Sequence, residues 1–573
     1  MRSAGLGRWL GALLAGAAAL LAANLAAADD GAHPPGFALA TAHPLATAAG
    51  AEILRAGGNA FDAAVAVSAA LAVVEPYASG LGGGGFWLLH RAADGRELML
   101  DGRECAPLAA GPDLYLDSKG GVVPRRSIDG VLAAGIPGEP AALVQLSERF
   151  GRLPLARSLA PAIRLAREGF PVDDRYRAMA RFRLDVLRRS PAAQAVFVPG
   201  GKVPKKGARI RNPDLARTLE RLARAGRAGF YAGTVARRLV QGVRKAGGIW
   251  AMADLTRYRA VARTPISGHY HDLRVVSAAP PSSGGIVLLG MLNILSGYPL
   301  DDLDPVTRDH LIIEAMRRAY RDRAEYLGDP DFVTIPVARL IHPWYAAGLR
   351  AGIRLDRATP SAMLRAVPSD GEGHHTTHFS IIDAEGNRVA ATLSINYPFG
   401  SGFMAPGTGV LLNDEMDDFA AKAGVPNVYG LVGARANAIE PGKRPLSSMS
   451  PTFVENDDRV AVLGTPGGSR IISMVLLAVL DFDRGASPAD WVRRARFHHQ
   501  YLPDEVQFEP GAFSARTLRA LRRMGHRLRP LDSRYGNMQA VLWDRRRGQL
   551  EAASDPRGIG QALVVQAPVT PPR

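Results

Sequence analysis

Between Phe61 and Val74 nearly every position is small and apolar, which predicts a helix buried on most of its sides. A second helix is expected over Thr47–Arg55, with Gly57, Gly58 and Asn59 supplying a stop and an N-cap between the two. The glycine-rich run Gly80–Gly85 leads into an apolar strand, Phe86–His90. It lacks the Lys-Ser/Thr of a phosphate-binding loop and does not open a helix after a strand, so close backbone packing is expected there. Residues 140–260 space their apolar side chains as helices do, among many arginines. A polar, Gly-containing linker follows over 360–373, and after it the pattern alternates. Strands are expected over His378–Ile382 and Arg388–Ile395, joined by the turn Asp383–Asn387, with further short strands at Gly82–Leu89, Leu98–Asp101, Val460–Leu463 and Val541–Asp544. Helices and strands mixed without strict alternation predict an α+β fold, a sheet covered by helices.

The chain has 573 residues, 47% of them hydrophobic, enough for a sizeable core. Arg2 and Arg8, the apolar run Trp9–Leu21 and the small residues Ala26–Ala28 have the layout of a cleaved secretory signal over residues 1–28. The chain is therefore expected to be periplasmic or secreted, without a stable membrane anchor. Its one cysteine, Cys105, excludes an intrachain disulfide and reads as a buried, inert thiol. The formal charge of +16 comes mostly from arginines, with local density at Arg317–Arg323 and Arg545–Arg547. No nucleic-acid motif accompanies them, so they read as solvated faces, and no nucleic-acid partner is expected.

The hairpin carries the candidate chemistry. If Ile382 pairs with Arg388, Thr376 faces Ser394, with Asn396 two residues further on the same side. A threonine hydroxyl is a weak nucleophile unless a base stands beside it. A cut just before Thr376 would make its own α-amine that base, and an α-amine titrates near about 8. The same hydroxyl could make the cut by attacking the carbonyl of His375.

The sequence His375-Thr-Thr-His-Phe-Ser380 resembles the processing site of the γ-glutamyltransferase family. Gly57–Val65, Pro280–Gly285, Tyr326–Pro330, Asn413–Phe419, Leu446–Pro451, Gly464–Arg470 and Arg496–Gln500 resemble other motifs of that family, collinear from about residue 37 to about 560. The resemblance implies the four-layer αββα sandwich of N-terminal-nucleophile hydrolases. It also implies a large subunit over 29–375 and a small one over 376–573, paired in one fold.

By the same resemblance Thr376 is the nucleophile, and Ser394 bonds it from a position where the family often has Thr. Gly467 and Gly468 supply oxyanion-hole amides. Arg103 binds the substrate α-carboxylate with help from Ser447 and Ser448, a task that suits the planar fork of a guanidinium. Asp418 takes the α-ammonium, aided by Glu415 and Asn396. Tyr429 gates a lid running from Val425 to Lys443. The implied reaction passes a γ-glutamyl group from glutathione or a related compound, through a Thr376 ester, to water or to an amino acid or dipeptide. No cofactor and no metal are expected. His374, His375 and His378 lack a completing ligand, and His498 and His499 read as structural. Two alternatives stand beside this reading: an acylase of the same superfamily acting on glutaryl or cephalosporin-like amides, and an uncut, non-catalytic glutamyl-binding protein.

Overall fold

A computed structural model describes residues 33–364, 376–422, 425, 427, 430, 431 and 435–566. The expected signal (1–28), the residues just before Thr376, Tyr429 and part of the lid around it lie outside the described residues.

The main strands are Gly36–Thr41 (β1), Gly84–Arg91 (β2), Arg96–Asp101 (β3), Val261–Arg263 (β4), Ile266–Tyr270 (β5), Leu273–Ser277 (β6), Thr377–Ile382 (β7), Arg388–Ser394 (β8), Thr452–Glu455 (β9), Arg459–Gly464 (β10), Gln539–Asp544 (β11), Gln549–Ser554 (β12) and Gln561–Gln566 (β13). They form two antiparallel sheets, ordered β13-β1-β7-β8-β2-β3-β4 and β12-β11-β10-β9-β6-β5.

The period-two pattern divides the first sheet between two cores. Leu39, Phe379, Ile381, Val389 and Leu393 face one set of helices. Ala38, Ala40, Ile382 and Ala390 face the second sheet. The helices on the first side include Pro44–Arg55 (α1), Ala60–Val74 (α2), Glu139–Phe150 (α3), Leu155–Glu168 (α4), Asp174–Phe182 (α5), Pro213–Ala225 (α6) and Gly233–Lys245 (α7). Gly284–Leu295 (α8), Pro305–Tyr326 (α9), Ile471–Asp483 (α10) and Ala515–Arg523 (α11) pack on the second side. This is the expected αββα sandwich.

Local chemistry explains the element boundaries. The α2 helix begins where Asn59 caps it in a reciprocal box with Asp62, and all of its residues are buried. The α1 helix starts earlier than its apolar pattern suggests, because Pro44 occupies its first turn and His43 accepts from the Leu45 amide. The hairpin register is the expected one, with Arg388 opposite Ile382 and Leu393 opposite Thr377. The next step outward places Ser394 across from Thr376. The glycine-rich turn is packed backbone to backbone. A Cβ on Gly82 would lie 1.9 Å from the Leu411 carbonyl oxygen, and one on Gly83 would lie 2.2 Å from that of Ser394.

Two expectations need correcting. Cys105 is half-buried rather than buried, although its surroundings still push the thiol up to about 12 through burial. The arginines are not uniformly solvated: Arg317, Arg318 and Arg323 are buried on α9. They are held there by carboxylates, hydroxyls and backbone carbonyls, among them Glu314, Ser361, Gly352, Ser283 and Ser448.

Candidate active site

Thr376 stands at the N-terminal end of β7, on the side of the strand that faces the second sheet. It is only 8% exposed. It lines a cavity of about 310 Å³ together with Arg103, Arg323, Ser394, Asn396, Glu415, Asp418, Ser447, Ser448 and Gly468. Widely separated segments thus converge on one threonine. Ser394 ends β8, Arg103 follows β3, Glu415 and Asp418 share a short 3-10 turn, and Gly468 opens the turn before α10.

Gly467 lies on the far side of Thr376. A second cavity of about 510 Å³ is lined there by Thr376, Gly467, Glu75, Tyr77, Arg175, Asn537 and Arg557. The threonine therefore stands between two spaces. Gly467 and Gly468 adopt φ of 147° and 57°, a conformation that favours glycine.

The first cavity is strongly charged. Arg103 is fully buried and donates to both Glu415 and Asp418, with Glu104 close by at 3.5 Å. Burial alone opposes the charge on Arg103, but Glu415, Asp418 and Glu104 outweigh it and raise its pKa. Burial, reinforced by neighbouring carboxylates, pushes Glu415 and Glu104 above the usual carboxylate range. Asp418 is raised as well, again chiefly by burial.

The remaining polar groups are held from behind. Ser394 Oγ accepts from the Asn396 amide at 2.7 Å, and Asn396 Nδ2 donates to the Asp414 carbonyl at 3.0 Å. Asn396 sits at φ 69°, a strained turn that these bonds hold in place. Ser447 Oγ accepts from the Met449 amide at 3.1 Å, while its carbonyl accepts from Ser283 Oγ at 2.7 Å.

Three charged residues escaped the sequence reading. Arg323 donates to Ser448 Oγ at 3.1 Å and to Ser283 Oγ at 3.0 Å, and burial lowers it to about 10. Glu104 stands beside Arg103. Glu75, at the end of α2, accepts from Thr377 Oγ1 at 2.7 Å and from Tyr77 at 3.2 Å, fixing the residue next to Thr376. A carboxylate directly after an all-apolar helix was the available signal for Glu75.

The histidines are structural. His378 bonds Thr392 Oγ1 at 2.8 Å, and burial lowers it to about 3. His498 bonds Ser473 at 2.6 Å, and His499 accepts from the Tyr501 amide at 3.0 Å. The described group with metal-ligand chemistry, His310, Glu314 and His526, is occupied otherwise. Glu314 is ion-paired to Arg317 and Arg318, and the two imidazoles bond each other at 2.7 Å. A cation there would compete with two guanidiniums.

Residues 46–565 match the family model for γ-glutamyltranspeptidase. The chain belongs to the γ-glutamyltranspeptidase family. The glutathione hydrolase proenzyme of Escherichia coli strain K12 is 43% identical, over 91% of this chain and 90% of that protein. Among solved structures, a cephalosporin acylase from Bacillus halodurans superposes with a TM-score of 0.81 at 30% identity, covering 93% of this chain and 97% of its own. A γ-glutamyltranspeptidase chain from Helicobacter pylori is 39% identical with a TM-score of 0.55, covering 56% of this chain and 92% of its own.

Proposed function

We propose that Thr376 is both the self-cleaving residue and the nucleophile of γ-glutamyl transfer in this enzyme, a self-processing γ-glutamyltransferase and glutathione hydrolase. The observation that carries the assignment is the charged cavity at Thr376, lined by Arg103, Glu415, Asp418, Ser447 and Ser448. Arg103 offers a fork for an α-carboxylate, and Asp418 and Glu415 offer charge for an α-ammonium. Within the cavity Arg103 is paired with Glu415 and Asp418. An entering zwitterion exchanges these internal pairs for pairs with its own two charges.

The steps follow from the placement. Cleavage before Thr376 frees its amine. Thr376 Oγ attacks the γ-glutamyl carbonyl while that amine takes the hydroxyl proton. The Gly467 and Gly468 amides steady the oxyanion. The amine then hands its proton to the leaving amine, which departs through the second cavity. Water or an acceptor amine enters by the same route and opens the ester. Export as a periplasmic or secreted protein, cleaved after the signal, completes the reading. The subunits 29–375 and 376–573 then remain paired.

A glutaryl acylase is the weaker reading. A glutaryl group lacks the ammonium, so Asp418 and Glu415 would be left without a new partner.

Intact-mass analysis of the wild type beside Thr376→Ala tests the assignment. Two fragments in the wild type, the smaller starting at Thr376, and one uncut chain in the variant are expected. A wild type that stays uncut over days overturns it. Comparison of γ-glutamyl and glutaryl anilides, with the γ-glutamyl compound preferred, separates the two donor classes.

A further inference from the structure

Residues 141–260 hold twenty-six Lys and Arg against eight Asp and Glu, a net charge of +18. The whole chain carries +16, so everything outside this stretch sums to −2. The stretch is one structural unit, the helical layer outside the first sheet. On the opposite layer, residues 284–364 carry nine basic and ten acidic side chains and residues 471–523 eight basic and six acidic, together a net +1. The molecule is electrically two-faced.

The charge points outward. The α6 helix buries Leu215, Leu219 and Leu222 and leaves Arg217, Arg221 and Arg224 exposed. The α7 helix buries Val235, Leu239 and Val243 and exposes Arg237, Arg238, Arg244 and Lys245. The α4 helix packs against α6 and adds exposed Arg157, Arg164 and Arg167. Some of this charge is met locally, as Arg164 by Glu52 and Arg167 by Glu220. Arg221, Arg224, Arg237 and Lys245 have no ion pair among the described residues.

We propose that this face docks reversibly on an anionic lipid bilayer. Twenty-two of the twenty-six basic residues are arginine, whose fork matches phosphate oxygens. Basic clusters are drawn to anionic headgroups within about a Debye length of the surface. A broad helical face suits a flat partner. A nucleic-acid partner is disfavoured because single strands are gripped by several stacked rings. In this stretch Phe182, 58% exposed, is the one largely exposed big apolar side chain among the described residues.

The test is co-sedimentation of the full chain with phosphatidylglycerol-containing vesicles and with pure phosphatidylcholine vesicles, across a salt series. Two triple variants accompany the wild type: Arg217→Glu, Arg221→Glu, Arg224→Glu on α6, and Arg516→Glu, Arg519→Glu, Arg523→Glu on α11. Hydrolysis of a soluble γ-glutamyl anilide checks that each variant is folded. The wild type is expected to bind only the anionic vesicles and to release in salt. The α6 variant should lose on the order of a hundredfold in affinity, and the α11 variant should bind as the wild type does. Absence of anionic-vesicle binding, equal binding to phosphatidylcholine, or equal losses in the two variants overturns the proposal. So does tighter binding to duplex DNA than to vesicles at matched phosphate.

Discussion

Nη1 of Arg103 donates to a carboxylate oxygen of Glu415, with both side chains shut away from solvent. On the proposed reading, substrate binding opens this buried ion pair, and the geometry of the fork matters as much as its charge. Arg103→Lys keeps the charge and loses the fork. It is expected to lower kcat/KM for a γ-glutamyl anilide on the order of a hundredfold, mostly through KM, from an imperfectly replaced pair worth about 3 kcal/mol. A change smaller than about twofold would show that Arg103 does not bind the donor.

The same pair sets a pH dependence. Burial holds Glu415 above the ordinary carboxylate range, and only its ionised form attracts an ammonium. Donor KM is expected to fall as pH rises through the mildly acid range toward neutrality. Glu415→Gln should flatten that limb while leaving the kcat profile, governed by the Thr376 amine, in place. A limb that survives unchanged in Glu415→Gln assigns it elsewhere.

Glu139 offers a separate test of stability. Burial pushes it up to about 8, opposed only by the nearby Gly80 backbone. The folded form keeps this proton where the unfolded chain has already released it. Stability from this group is full below about 4.5, the unfolded value, and is lost as pH rises through about 8. Glu139→Gln should remove that decline and gain on the order of a few kcal/mol at pH near 8. Thermal melts across pH give the answer, and parallel curves for the two proteins would refute it.

Gly83 cannot accept a side chain. A Cβ there would meet the Ser394 carbonyl oxygen at 2.2 Å and Ile395 Cγ2 at 2.7 Å, and neighbouring backbone cannot yield cheaply. Gly83→Ala is expected to cost about 2 kcal/mol or more and to slow chain cleavage, since Ser394 sits across from Thr376. A variant that melts and cleaves like the wild type would show that the turn relaxes freely.

The hairpin and its register were legible because β7 and β8 alternate and a five-residue turn joins them. The motifs around Glu415, Ser447 and Gly467 were legible only through their resemblance to those of the γ-glutamyltransferase family. The Gly36–Thr41, Leu273–Ser277 and Thr452–Glu455 strands were not. Apart from Gly36, Phe37, Arg274 and Glu455 they are buried on both faces, and at four to six residues each they are too short for a pattern to stand out. Arg323 was hidden because a charge on a long helix reads as solvated, whereas α9 buries most of its charged side chains. The basic face also needed the fold: arginines strung along the sequence become a surface only once α4, α6 and α7 are packed side by side.

The β7 strand lies between β1 and β8, and β8 in turn pairs with β2. A chain cut before Thr376 is thus two polypeptides sharing both sheets: β1 of the first lies between β13 and β7 of the second in one sheet, and the two meet at a single seam, β9 against β6, in the other. Such fragments should stay together in native buffer and part only in denaturant. Their reunion is a different matter. The uncut chain folds as a single molecule, at a rate indifferent to dilution. Two separated fragments have to find each other and thread one strand between two of the other's. Maturation therefore turns a reversible folding problem into a bimolecular one, and the finished enzyme would be expected to persist by slow unfolding rather than by ready refolding.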